Sequence, residues 1–268
     1  MSDVPTAARP PAPSPDSGNG AGIITRGLRK VFGAIVAVQG LDLDVARGEI
    51  FGLLGPNGSG KTTTIRMLTG LIAPSAGSAY VVGVDVVKEP ERVRRRIGYM
   101  SQRYGLYDDL TVLENLEFYA GAYGIVGEER RRRIAAQFAT YGFGDRRAQL
   151  AGTLSGGWKQ RLALACATTH GPDLVFLDEP TAGVDPASRR RFWEHIGERA
   201  AEGMTVLVTT HYMDEAERCH RLAFLSRGHL IGVGTPQEIT TRFGLPTVED
   251  VFIELQRRDE GVGDDAAA

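Results

Sequence analysis

The sequence predicts an α/β fold, and three stretches predict it. The apolar run Ile50-Phe51-Gly52-Leu53-Leu54 has the character of a buried strand, and a glycine-rich turn carries it into the helix-like pattern Thr63-Thr64-Ile65-Arg66-Met67-Leu68. Leu174-Val175-Phe176-Leu177 is apolar throughout, as strands covered on both faces are, and it ends in Asp178-Glu179-Pro180. Thr205-Val206-Leu207-Val208-Thr209-Thr210 is a β-branched run of the same kind, with a helical pattern from Pro186 to Ala201 ahead of it.

The turn after the first run, residues 55–63, has the spacing G-x-x-x-x-G-K-[ST], with Gly55, Gly60, Lys61 and Thr62 at the fixed places. Gly55, Gly58 and Gly60 let the backbone curl with its N–H groups pointing inward. The following helix adds its positive end at the same point. Gly55, Pro56, Asn57, Gly58, Ser59, Gly60, Lys61, Thr62 and Thr63 therefore make an anion site suited to a polyphosphate. Lys61 is expected to reach the outer phosphates, and the Thr62 hydroxyl to ligate a Mg²⁺ that bridges them. Lysine is otherwise scarce, at Lys30, Lys88 and Lys159, which fits a special use for Lys61.

At 268 residues the chain is long enough for one sizeable core, or for one domain with subdomains. Its 42% apolar and 24% charged residues are those of an ordinary globular protein. A net charge of −2 argues against nucleic acid as an obligatory ligand. The two cysteines, Cys166 and Cys219, form no C-x-x-C, and each is expected to be a small buried residue in a reducing compartment. With no apolar run of transmembrane length and no secretion-signal pattern at residue 1, a cytosolic location is expected.

Residues 1–22 are Pro, Ala, Ser and Gly with hardly any large apolar side chain, too little to offset ordering entropy, so a disordered tail is expected. Residues 23–46 read as strands: Ile23-Ile24, Val31-Phe32, Val36-Ala37-Val38, then Leu41, Leu43 and Val45 in alternation. Gly33 and Gly40 read as turns between them, in an antiparallel sheet that leads into the loop-feeding strand. Phe32 by itself reads as a core aromatic in preference to a stacking platform for an adenine ring. Residues 77–83 read as a strand, 89–96 as a short basic helix and 97–100 as an apolar strand ending in Ser101-Gln102. Open α/β sheets place ligand contacts at such carboxyl ends.

Residues 111–170 turn mainly helical. Thr111-Val112-Leu113-Glu114 is a capping box opening an amphipathic helix to about Tyr123. A second helix follows from Arg130 to Tyr141 after a break at Gly127-Glu128, its arginine run a solvated face. A separate helical lobe is expected here. Leu106, Tyr107 and Leu110 in the linking loop read equally as a docking patch or a satellite core. Ser155 reads as an N-cap, and Gly156-Gly157 leave N–H groups bare at a helix start; this is either a mere cap or a second anion site.

Asp178 and Glu179 close the second buried run, and neighbouring side chains on a strand point to opposite sides. Asp178 is expected to hold Mg²⁺ through its water shell. Glu179 is expected to polarise the attacking water as general base, an effect of about 10²–10⁴-fold in rate. Without a cation the two acids would suffer desolvation and mutual repulsion. His211, at the end of the third run, reads as a γ-phosphate partner or as a satisfied structural histidine. Residues 222–233 form a hairpin about Arg227-Gly228, and Thr235-Pro236-Gln237-Glu238 opens a short helix. Residues 247–257 form a last amphipathic helix, and the acidic Gly/Ala-rich end is expected to fray.

Phe32, the loop 55–63, Gln102, Leu154-Ser155-Gly156-Gly157, Asp178-Glu179 and His211, in this order, resemble the ATP-binding subunit of ABC transporters over about residues 23–233. The resemblance implies a P-loop NTPase (RecA-like) α/β core with an antiparallel β subdomain and an inserted α-helical subdomain. That places an ATPase domain at 23–245, its helical subdomain at about 103–170, and a C-terminal helix and tail at 246–268. It implies ATP and Mg²⁺ as cofactors, with adenine stacking by Phe32 and Mg²⁺ sensing by Gln102. Glu179, His211 and Lys61 would carry catalysis, and Thr62, Gln102 and Asp178 would serve the metal. Ser155, Gly156 and Gly157 would meet the γ-phosphate of a second subunit, a homodimer mate or a paralogue, closing head-to-tail over two ATP molecules. Asp185 would belong to the loop that links the two sites.

Residues 98–119 and 179–186 are most similar to the drug- and antibiotic-export branch, whose partners are ABC-2-type permeases. The resemblance therefore implies an ATPase held peripherally on the inner face of the cell membrane by its permease, with no nucleic-acid partner. An importer ATPase shares the same core motifs. A non-transport ABC ATPase acting on ribosomes or DNA generally needs two fused cassettes or long coiled-coil insertions, and this sequence has one phosphate loop and neither extra. Two stretches depart from the family pattern. Trp158 stands where Gln is usual, and Ala182-Gly183-Val184-Asp185 replaces Ser-Ala-Leu-Asp, so a contact through the first side chain of that loop is lost.

Overall fold

The computed structural model describes residues 20–264, with side chains described for residues 20–258. Most of the expected N-terminal tail lies outside the described residues, but its last residues, Ala21 and Gly22, already belong to a strand. The chain opens with β1 (Ala21–Phe32) and β2 (Ile35–Ala46), then β3 (Ile50–Leu54), α1 (Lys61–Leu68), β4 (Ala76–Val81) and β5 (Val84–Asp85). Next come α2 (Pro90–Arg96), β6 (Ile97–Met100), α3 (Val112–Ala122), α4 (Gly127–Tyr141) and α5 (Gly156–Thr168). The remainder is β7 (Leu174–Asp178), α6 (Pro186–Ala201), β8 (Thr205–Thr210), α7 (Met213–Ala216), β9 (Arg221–Ser226), β10 (His229–Gly234), α8 (Pro236–Phe243) and α9 (Val248–Asp264).

Two sheets result. One is antiparallel, in the order β2-β1-β4-β5; the other is mostly parallel, in the order β10-β9-β3-β8-β7-β6, with β10 antiparallel at its edge. The central strands β3, β7 and β8 are buried at every residue, as apolar and β-branched runs covered on both faces are. Their alternate side chains feed two cores. Phe51, Leu53, Phe176 and Leu207 face α1 and the antiparallel sheet, among Ile23, Leu41, Ile65 and Val81. Ile50, Leu54, Val175, Leu177, Val206 and Val208 face the other way, toward α5 and α6.

The helical insertion does not keep a core of its own. Leu116 of α3, Ile134 and Tyr141 of α4, and Leu162 and Leu164 of α5 pack in one cluster with that second sheet face, because α5 is buried along most of its length and serves both sides. The capping boxes at Thr111/Glu114 and Thr235/Glu238 form as expected. Three boundaries differ. α4 begins at Gly127, so Gly127-Glu128 is its first turn, with Glu128 and Glu129 at the positive end where acids are stabilised. Gly40 lies inside β2 at φ 72°, beside the register shift between Leu28↔Leu41 and Lys30↔Val38, and the turn is at Gly33 alone. α9 continues beyond Arg257 to Asp264, into the end expected to fray, since extending a formed helix is far easier than starting one; residues 265–268 of that end lie outside the described residues.

Parallel pairing aligns the carboxyl ends of the central strands. Leu54 pairs with Thr210 and Asp178 with Thr209, so the segments that follow β3, β7 and β8 emerge together at one edge.

Candidate active site

The loop leaves β3 and enters α1, whose N-cap is Gly60. Ser59 N–H donates to Pro56 O at 3.2 Å and Thr64 N–H to Gly60 O at 2.8 Å. Gly60 has φ 106°, and a Cβ there would stand 2.5 Å from Ala37 O of β2. A Cβ on Gly55 would stand 2.2 Å from Leu225 O of β9. Neither position has room for a side chain, so the loop is clamped between two strands. A cavity of about 310 Å³ opens over it, lined by Asn57, Gly58, Lys61, Thr62, Gln102 and Glu179 among others.

Lys61 is 5% exposed, and its amine donates to Gly55 O at 2.7 Å and Pro56 O at 3.1 Å. Burial lowers its pKa, against the opposing pull of Glu179 and Asp178, so the amine is poised beside the cavity at a desolvation cost. Glu179 is the hub of the site. Its Oε1 lies 3.5 Å from Lys61 Nζ; its Oε2 accepts from Gln102 Nε2 at 3.1 Å and lies 3.5 Å from His211 Nδ1. The backbone of Glu179 has φ 48°, a strained value for a residue with a side chain, at a cost of order 1–3 kcal/mol. Its N–H is held by Thr209, through O at 3.1 Å and Oγ1 at 3.0 Å.

Asp178 is 4% exposed and its Oδ1 accepts from Thr209 Oγ1 at 2.7 Å and from Thr62 Oγ1 at 3.3 Å. The Thr62 hydroxyl and the Asp178 carboxylate are hard oxygen donors beside the loop and fit Mg²⁺. Among the described residues no cluster of three or more His, Cys, Asp or Glu side chains is placed to hold a metal. Within the loop, Ser59 Oγ is buried and makes no hydrogen bond inside the protein, a polar atom that fits a phosphate oxygen.

Pro56, Asn57, Gly58, Ser59, Thr62, Thr63, Gln102, Asp178, Glu179 and His211 are thus brought to one edge of the sheet. Phe32 is not in that group and is not a core aromatic either: it ends β1 at 49% exposure, with Lys30 Nζ 5.0 Å from its ring centre. Ser155, Gly156 and Gly157 do not line the cavity. Ser155 caps α5 through its carbonyl, which accepts from Trp158 N–H at 3.0 Å and Lys159 N–H at 2.9 Å. Its hydroxyl makes no cap bond and the residue is exposed. Gly157 is buried against the start of α6, where a Cβ would meet Ser188 Oγ at 2.2 Å. Asp185 caps α6 by accepting from Ser188 N–H at 2.9 Å, and its hydrogen bonds with Ser188 hold its carboxyl below the usual range.

Sequence reasoning missed Thr209, which fixes both acids, and the group Thr181, Thr210 and Glu215 behind them. Paired threonines at the end of an otherwise apolar strand were the available signal.

The family profile described as ABC transporter matches residues 38–182. The "Probable multidrug ABC transporter ATP-binding protein YbhF" of Escherichia coli (strain K12) is 46% identical over 233 residues, covering 85% of this chain and 40% of that protein. The chain thus spans about two fifths of that relative's length. The "Daunorubicin/doxorubicin resistance ATP-binding protein DrrA" of Streptomyces peucetius is 44% identical over 239 residues, covering 89% of this chain and 72% of the relative. The solved dimer of the ATP-binding cassette MJ0796 in a post-hydrolysis state with ADP and Pi superposes with a TM-score of 0.72 at 28% identity. It covers 80% of this chain and 98% of its own. The chain belongs to the ABC transporter family and carries its ATP-binding domain.

Proposed function

We propose that this chain is the ATP-binding and hydrolysing subunit of an ABC exporter, with drug, antibiotic or lipid-like cargo passing through separate membrane subunits. The observation that carries the reading is Glu179: one carboxylate, on a strained backbone, faced by the loop lysine, by Gln102 and by His211. The loop N–H groups and Lys61 bind the nucleotide phosphates, and Thr62 and Asp178 hold the Mg²⁺ with Gln102 beside them. Mg²⁺, when bound, neutralises charge on the phosphates. Glu179 accepts the proton of the attacking water, and His211 keeps that water in line.

The exposed Phe32 ring is free to stack on adenine. Ser155, Gly156 and Gly157, which do not line the cavity of their own chain, complete the site of a second ATP-binding subunit in a head-to-tail pair, a copy of this chain or a paralogue. The dimeric form of the MJ0796 cassette supports this arrangement. The multidrug and daunorubicin/doxorubicin resistance names of the two relatives support export. Among the described residues no helix is long and apolar enough to cross a membrane, and we assign the membrane-spanning path to ABC-2-type permeases. Through them the subunit sits on the inner face of the cell membrane. We assign residues 23–245 to the ATPase domain, with its helical subdomain at about 103–170.

Glu179→Gln tests the reading. The variant is expected to bind ATP, to accumulate as a dimer on a sizing column with ATP and Mg²⁺, and to lose about 10²–10⁴-fold in turnover. Wild-type turnover would refute Glu179 as the base. Recovery of the wild-type chain from membranes with an ABC-2-type permease is the expected result for the transport assignment.

A further inference from the structure

Glu215, on α7, is 0% exposed and does not line the nucleotide cavity. A carboxylate buried this completely is costly unless both oxygens are satisfied. They are, and by opposite sides of the site. Oε1 accepts from Thr181 Oγ1, and Oε2 accepts from Thr210 Oγ1 at 2.7 Å. Arg189 Nε of α6 stands 3.6 Å from Oε1 and supplies the countercharge. Thr181 and Thr210 are each 1% exposed. Thr181 closely follows Glu179, and Thr210 immediately precedes His211. Thr210 Oγ1 also accepts from Tyr212 N–H at 3.0 Å, so His211 lies between two residues tied to the same hydroxyl.

The ladder between β7 and β8 ends at Asp178↔Thr209. Beyond that pair β7 and β8 no longer pair with each other: Glu179 keeps one backbone bond, its N–H to Thr209 O at 3.1 Å, Thr210 pairs with Leu54 on the far side, and Glu179 sits at a strained φ of 48°. A third tie reaches the same place from α5: its Gln160, 0% exposed, donates Nε2 to Pro180 O at 2.8 Å, between Glu179 and Thr181. A buried ion pair is weak evidence for stability, because apolar side chains of the same volume usually do as well. What the carboxylate supplies, and apolar packing does not, is two directional bonds that fix two loops against each other.

We propose that Glu215 is a positioning residue for ATP hydrolysis. It clasps Thr181 to Thr210 and so keeps Glu179 and His211 in mutual register past the end of the sheet, while Gln160 joins the same clasp to the serine-capped helix. This rests on Glu179 acting as the base. Small displacements of catalytic groups are enough to lower turnover by an order of magnitude or more.

The test is steady-state ATP hydrolysis by the full chain carrying Glu215→Gln, Thr181→Val or Thr181→Ser, with Glu179→Gln run alongside. Thr181→Val keeps the volume and removes the hydroxyl; Glu215→Gln keeps the shape and replaces one acceptor with a donor. Each is expected to lower kcat by about tenfold with KM for ATP changed by no more than about twofold. Thr181→Ser is expected to restore the rate lost in Thr181→Val, and the Glu215→Gln/Thr181→Val double variant to be no slower than the slower single. If Glu215→Gln fails to fold, the valine and serine pair at Thr181 decides. A lowered melting temperature with unchanged kcat in Thr181→Val would overturn the clasp. So would wild-type kcat in Glu215→Gln and Thr181→Val beside an inactive Glu179→Gln, an outcome that leaves the base assignment standing. Wild-type turnover in Glu179→Gln would overturn both.

Discussion

Lys61 Nζ lies 3.5 Å from Glu179 Oε1, with the two side chains 5% and 12% exposed. The phosphate loop after β3 and the acid after β7 are therefore joined by a buried ion pair across the centre of the parallel sheet. Its members are the two charges to which we assign nucleotide binding and hydrolysis.

Lys61→Ala removes the cation and leaves Glu179 facing the cavity without it. A hydrogen bond to a charged group contributes about 1.5–3 kcal/mol, so ATP is expected to bind roughly 10- to 150-fold more weakly. A fluorescence titration with ATP reads this directly. Unchanged affinity would count against the lysine as a phosphate ligand.

Gly60→Ala is expected to destabilise the chain by roughly 1–3 kcal/mol in urea unfolding, from its φ of 106° alone, before the contact with Ala37 O at 2.5 Å is counted. It is also expected to abolish ATP binding, because the loop must shift away from β2 to admit the methyl. Gly58→Ala is the comparison. Its φ of 81° is also unfavourable, but nothing lies within 4 Å of the added carbon, so its effect is expected to be smaller. Equal effects would mean that crowding at β2 is not what clamps the loop.

His170 stacks on Tyr123 with ring centres 3.6 Å apart, and its Nε2 is 3.0 Å from Ile97 O. Its Nδ1 is buried without a hydrogen-bond partner. A proton added there would have no acceptor, and burial lowers the imidazole pKa from 6.5 to about 4. Between those values the unfolded chain binds more protons than the folded one, so stability present above pH 6.5 is lost as pH falls toward 4. The melting temperature is expected to drop across that window, and to drop less in His170→Gln. The same acid loss in both proteins would rule His170 out as its source.

Trp158, where the family usually has Gln, lies between Arg146 at 4.4 Å and Arg161 at 4.5 Å from its ring centre. Both guanidiniums lie within cation–π range of the indole at the start of α5. Two cation–π contacts of about 0.5–1 kcal/mol each predict that Trp158→Gln lowers unfolding free energy by roughly 1–2 kcal/mol. A urea midpoint identical to wild type would show that the ring contributes nothing there.

Much of this was readable from local pattern. Apolar runs placed β3 and β7 and a β-branched run placed β8, glycine spacing placed the loop between β3 and α1, and Thr111/Glu114 and Thr235/Glu238 marked two helix starts. These signals depend on residues within a turn or strand of one another, and the backbone obeys them wherever the element ends up. Tertiary structure decided the rest. Strand alternation assigns Phe32 to a face of β1, but only the packing of the two sheets leaves that face 49% exposed. Gly40 carries a turn signal, yet pairing with β1 keeps it inside β2. The meeting of Lys61, Gln102 and His211 on Glu179, and the Glu215 clasp behind it, required strand order and register. Those depend on which distant side chains can be buried together, a choice that no stretch of sequence makes alone.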